Sequence, residues 1–187
     1  MKVNRRTFLV LQSSFALRCG WASATDWEHD VTDMLNQFLS CQTPIDDRSP
    51  CNYFLARAVK KVYSVDDFFL APDKPMSANA IAAFVAADQK WTSLGSCDKQ
   101  LSLDQAQGYA NLKKPVVAVY VAQPHGHVAL ILPGSASKSQ TWGMQVPNSA
   151  SFPLDAPQKA YVAGPLSKAF GPDKKTQVTL YGRNFVP

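Results

Sequence analysis

Two side chains in this sequence have the types and settings needed to make and break an acyl bond. Cys51 stands in Ser49-Pro50-Cys51-Asn52-Tyr53-Phe54, which reads as the cap and first turn of a helix. His127 stands in Gly126-His127-Val128, at the opening of an apolar strand. Ser is a favoured N-cap, and the fixed φ and missing N–H of Pro suit the first helical position. Cys51 would then be the second helical residue, where unpaired amides and the positive end of the helix dipole stabilise a thiolate, the reactive form. The alternative is a buried structural thiol or half of a disulfide, because free Cys is among the most buried residue types. The base must come from His29, His125 or His127. His127, at the mouth of a strand, can reach a helix N-terminus, take the thiol proton and return it to a leaving amine. His125 reads as a turn residue, and His29 lies in a polar stretch near the amino end.

A third polar group normally accepts the second N–H of such an imidazole and fixes its tautomer. If Val128 to Pro133 and Gln140 to Asn148 form a hairpin around Gly134 to Ser139, antiparallel register sets His127 opposite about Val146. Gln145 and Asn148 flank that point, and Asn148 is preferred; its alternative is to cap a turn in Pro147-Asn148-Ser149. The backbone N–H of Cys51 and one side chain among Tyr53, Asn52 and Gln42 would stabilise the oxyanion. The four Cys and three His lack CxxC or HxxxH pairing, so no metal or cofactor is expected.

The elements that must position these groups follow from periodicity. Thr25 to Leu39 reads as a helix with Val31, Met34, Leu35 and Phe38 on one side. The Cys51 helix runs to about Tyr63 with Phe54, Ala58, Val59 and Val62 inward. Ser77 to Asp88 and Ser102 to Ala110 read as two more helices. Pro115 to Gln123 and His127 to Pro133 read as largely buried strands joined by a tight connection, and Gln177 to Tyr181 as the strand that closes the sheet. Asp66 to Met76 and Pro153 to Pro172 read as loops. Trp91 is expected to pack a helix shut, and Trp142 to be core rather than a sugar platform. The order predicts an α+β fold, helices first and an antiparallel sheet after.

Residues 1–24 have the layout of an export signal: Lys2, Arg5 and Arg6, then a modest apolar run, then Ala22-Ser23-Ala24. Asn4-Arg5-Arg6-Thr7-Phe8-Leu9 is similar to a twin-arginine signal. Residues 25–187 would form a single mature domain in the periplasm or outside the cell. The signal carries four of the 19 Lys and Arg and no acid, leaving 15 against 14 Asp and Glu. That balance gives no reason to expect nucleic acid as a partner. No segment reaches the roughly 20 apolar residues of a bilayer span, so no stable membrane insertion is expected. Cys19 leaves with the signal. If Cys51 is a free nucleophile, Cys41 and Cys97 can form a disulfide; Cys41 with Cys51 is the competing pair.

Cys51-Asn52-Tyr53-Phe54 heading an amphipathic helix, followed by Gly126-His127-Val128 heading a core strand, resembles the papain-like cysteine peptidoglycan hydrolases of the NlpC/P60 and CHAP group. The helices from Ser77 and Ser102, with Asn111-Leu112 before the strand, resemble the amidase effectors of type VI secretion. The resemblance covers about residues 45 to 150. Pro50 stands where the NlpC/P60 pattern has Asp, which is nearer the CHAP and effector variants. It implies a papain-like NlpC/P60-type fold, with N-terminal helices packed on a small antiparallel β-sheet. It also implies cleavage of amide bonds in wall peptides by Cys51 and His127, and an immunity or inhibitor protein as a possible partner if the enzyme is a toxin. The other readings are an inactive wall-binding module of the same fold, or a cysteine peptidase or acyltransferase acting on another amide or ester.

Overall fold

The computed structural model describes residues 24–39 and 53–184. Residues 1–23 of the expected export signal, and Cys41, Gln42, Cys51 and Asn52, lie outside the described residues.

Among the described residues, four α-helices and a six-stranded antiparallel sheet make a mixed α+β fold. Helix α1 spans Ala24–Leu39, α2 Phe54–Tyr63, α3 Ala78–Ala87 and α4 Gln100–Asn111. The main strands are β3 Trp91–Ser96, β4 Val116–Tyr120, β5 His127–Ile131, β8 Asn148–Ser151, β9 Tyr161–Pro165 and β10 Val178–Arg183. Their order in the sheet is β3-β10-β4-β5-β8-β9. Two small ribbons stand apart: β1 (Phe69–Ala71) with β2 (Lys74–Pro75), and β6 (Ser137–Lys138) with β7 (Gln145–Val146).

The sheet is covered on both faces, which explains why Val116-Val117-Ala118-Val119 is one apolar run without alternation. On one face Val117, Val119 and Leu130 pack with Leu35 of α1, Phe54 and Val59 of α2, and Ile81 and Val85 of α3. On the other, Val116, Ala118 and Ile131 pack with Leu103 and Ala106 of α4, and with Trp142, Leu166 and Phe170. Val31, Met34 and Leu35 of α1 and Phe54, Ala58 and Val59 of α2 are buried as their spacing predicts, with Val62 partly so. Trp142 is core. Among the described residues, no helix is long and apolar enough to cross a membrane.

Several elements differ from the sequence expectation. Within the described residues the α-helix of α2 begins at Phe54 with Tyr53 as its cap, and the start expected at Ser49 and Pro50 lies outside them. Asp66 to Met76 contains the β1–β2 ribbon, Trp91 opens a strand, and β9 lies within the stretch read as loop. The last strand, β10, sits between β3 and β4 and not at an edge. Most consequential for the site, β5 does not pair with residues 140–146. It pairs with β8, Ala129 opposite Ser151 and Ile131 opposite Ser149. Burial of Trp142 and Val146 under the second face draws 137–146 out of the sheet as its own ribbon, with Ser137 opposite Val146. His127 therefore points toward the register of Pro153, seven positions beyond Val146.

Candidate active site around His127

His127 is the first residue of β5 and pairs with Tyr120, the last of β4. The link between these strands is tied to the start of α3: Asn79 donates from Nδ2 to the Ala122 carbonyl at 2.9 Å. A side chain at Gly126 would run into Asn79 Oδ1 and the Tyr120 carbonyl, so the approach of this link to α3 requires glycine.

The imidazole is held from two directions. Nε2 lies 2.7 Å from Ser151 Oγ on the neighbouring strand, and the ring stands edge-on to Phe170 with centroids 5.3 Å apart. Ser151 is 1% exposed, so its hydroxyl has little freedom. Nδ1 makes no hydrogen bond among the described residues. Burial first, and then the positive charge of Lys174, lower the His127 pKa from 6.5 to about 4, while Asp155 opposes the shift. At neutral pH the ring is neutral and able to accept a proton.

His127 and Ser151 line a cavity of about 750 Å³. One wall comprises Tyr53 to Ala56, at the start of α2, and Met76 to Asn79, at the start of α3, with Ile81. Among the described residues this part of the lining carries no charged side chain, and both helix starts present their positive ends there. Another part of the lining, from Ser151 to Lys174, carries Lys159, Lys168 and Lys174 against the single carboxylate of Asp155.

The sequence candidates separate on this geometry. His127 is in the cavity, and Tyr53 lines the rim nearest the chain that leads to Cys51. Cys51 itself, with Asn52 and Gln42, lies outside the described residues. Neither Asn148 nor Gln145 meets His127. The Asn148 backbone N–H donates to Gln107 Oε1 at 2.8 Å, and its Nδ2 donates to the Pro133 carbonyl at 2.8 Å. Its carbonyl accepts from Leu132 N–H, five residues along β5 from His127, or about 16 Å of strand. Asn148 thus closes the far end of β5. Gln145 is exposed in β7, its backbone bonded to the side chain of Gln100. Ser151 occupies the place expected for either, and only the β5–β8 register reveals it. His125 is exposed on the cavity rim, and His29 is exposed on α1.

Among the described residues Cys97 is fully buried with a free thiol, and Cys41, its expected disulfide partner, lies outside them. Burial, and then the negative charge of Asp98, push its pKa up, which leaves the sulfur protonated and inert. Among the described residues no group of three or more His, Cys, Asp or Glu could hold a metal ion. No protein-family model matches the chain, and no curated protein matches it.

Proposed function

We propose that this chain is an exported cysteine hydrolase that cleaves amide bonds in the peptide stems or cross-links of bacterial peptidoglycan. The observation that carries the reading is the setting of His127: a neutral imidazole, fixed by Ser151 and Phe170, in a cavity whose lining includes a wall that begins at Tyr53, two residues after Cys51. A thiol nucleophile entering from that wall would meet a base already oriented. The order, a cysteine ahead of a helix and a histidine heading an antiparallel strand, also supports a papain-like NlpC/P60-type arrangement. Residues 1–24 support export through a twin-arginine-like signal to the periplasm or beyond.

In this mechanism Nε2–H donates to Ser151 Oγ, which leaves the Nδ1 lone pair for the Cys51 proton. The thiolate sulfur adds to the amide carbon, and the oxyanion collapses as His127 passes the proton to the departing amine. A thioester remains. Water, deprotonated by the same imidazole, then adds to the thioester, and collapse releases the carboxylic acid and regenerates the thiol.

A second reading is favoured by one contact: a serine hydroxyl 2.7 Å from an imidazole is also the geometry of a serine nucleophile and its base. Ser151 lines the cavity but is 1% exposed, which favours an orienting role over attack on a substrate carbonyl.

The test is digestion of peptidoglycan sacculi by the purified protein, with fragments identified by mass. Wild type should release cut peptides, and Cys51→Ala and His127→Ala should release none. Ser151→Ala should keep residual turnover, reduced roughly 100-fold in kcat with KM little changed, as for loss of a group that orients a general base. Undiminished release by Cys51→Ala, with none by Ser151→Ala, would reverse the two roles. Binding without fragments would favour a wall-binding module, and cleavage confined to non-wall amides or esters would favour another peptidase or acyltransferase. An immunity protein would be expected only if the enzyme acts on rival cells.

A further inference from the structure

The lysines of the cavity are not alike. Lys159 and Lys168 are exposed, with Lys168 Nζ 5.8 Å from the Tyr161 ring centroid. Lys174 is only half-exposed, its Nζ 5.1 Å from the centroid of Tyr120, the register partner of His127. Among the described residues it has no acidic partner: the ion pair there joins Arg183 to Asp67. Among the described residues, then, Lys174 offers its ammonium to the cavity with no carboxylate in ion-pair contact. Tyr120 and Tyr161 brace the two cations from behind by cation–π contact, which restrains their swing. Among the described lining residues the cations are Lys159, Lys168 and Lys174, so a ligand's negative group would be met there.

We propose that Lys174, with Lys168 farther out, is a carboxylate-binding point beside His127, so that the amide brought to the imidazole belongs to a peptide with a free carboxylate. This rests on reading the cavity as an amidase site. The ligand chemistry is an unmodified peptide carboxylate near the scissile amide; an amidated peptide of the same sequence fits the cavity but leaves Lys174 unpaired. Occupation has a second effect. Lys174 disfavours the protonated ring, so neutralising it with a bound carboxylate favours the imidazolium that forms when His127 takes the thiol proton. The right substrate would thereby assist its own proton transfer.

The experiment uses Cys51→Ala protein, so that nothing is turned over. Calorimetry compares a wall stem tetrapeptide having free carboxylates with the same peptide amidated at each of them. Amidation should weaken binding about ten-fold, the scale of one charge-assisted hydrogen bond. Lys174→Met should weaken the native peptide by about the same factor and leave the amidated one unchanged, while Lys174→Arg retains the preference. Equal binding of both peptides by the parent protein, or equal loss of both in Lys174→Met, would overturn the carboxylate point. Glutarate, which has no amide to cut, separates this outcome from the fate of the amidase reading. Lys174-dependent glutarate binding alongside sacculi left intact by wild type would keep the carboxylate point and end the amidase reading. Sacculi cut alike by wild type and Lys174→Met, with native and amidated peptides bound alike, would do the reverse.

Discussion

The fold keeps His127 uncharged at neutral pH. Folded His127 binds its proton only below about pH 4, whereas an unfolded imidazole binds it below 6.5. Between these values the unfolded chain holds more protons, so stability rises with pH across that window. It is fully present above 6.5 and is lost as pH falls toward 4. The contribution is at most about 3 kcal/mol for this one group. Thermal melts of wild type and His127→Gln from pH 4 to 7 should show the wild-type midpoint falling more steeply on acidification; parallel curves would refute it. Activity should follow the same charges. The acid limb of kcat/KM should move up in Lys174→Met, which removes a repelling cation, and down in Asp155→Asn, which removes an attracting anion. Ser151, the group that holds Nε2, leaves no mark in the sequence: a serine in Asn148-Ser149-Ala150-Ser151 looks like its neighbour Ser149, which is buried against Tyr161 and the Gly164 carbonyl instead.

The connection from β4 to β5 is the element on which the site depends. It carries His127 into the cavity and is tied to α3 through Asn79. Gly126→Ala would place a methyl against Asn79 Oδ1 and the Tyr120 carbonyl, so the link must move and take His127 with it. The variant should lose about 1–3 kcal/mol by urea denaturation, the scale of overpacking, together with most sacculus-cutting activity. Gly108→Ala, in α4 with open space around the added carbon, is the control and should be neutral or gain about 0.5–1 kcal/mol. Gly126→Ala with unaltered stability and activity would show that the link is not fixed as described. The helices were readable from the sequence because each carries its apolar residues three and four apart. The β6–β7 ribbon was not: its displacement from the sheet follows from where Trp142 and Val146 are buried.

At the scale of the molecule, β10 brings residues far apart in sequence together. Arg183, near its end, donates from Nε to Asp67 Oδ2 at 2.8 Å, and the same oxygen accepts from Trp91 Nε1 at 3.0 Å. Both charged side chains are under a tenth exposed. This locks the last strand to the segment that leaves α2, and so to the wall of the cavity that begins at Tyr53. Arg183→Met would strand a buried carboxylate and should destabilise by about 3–5 kcal/mol in urea. Adding Asp67→Leu should recover part of that loss, though not the Trp91 N–H, which would then be unpaired. If the single variant were no less stable than the double, the pair would not be doing this.

Local order was legible in the sequence. Periodicity, capping and turn residues, which act over a few positions, placed α1, α3 and α4 closely, β4, β5 and β10 within a few residues, a mixed α+β class, and His127 at the head of a strand. Which group holds His127 was not legible there. That depends on strand register between β5 and β8, separated by a ribbon whose length and destination no local signal fixes. A strand slipped by seven residues exchanges Asn148 and Gln145 for Ser151. The burial of Cys97 came about the same way, by the closing of the second core layer around it. So did the basic wall: Lys159, Lys168 and Lys174 are ordinary surface lysines in sequence, and become one side of a cavity only when the chain after β8 folds back beside Tyr120 and His127.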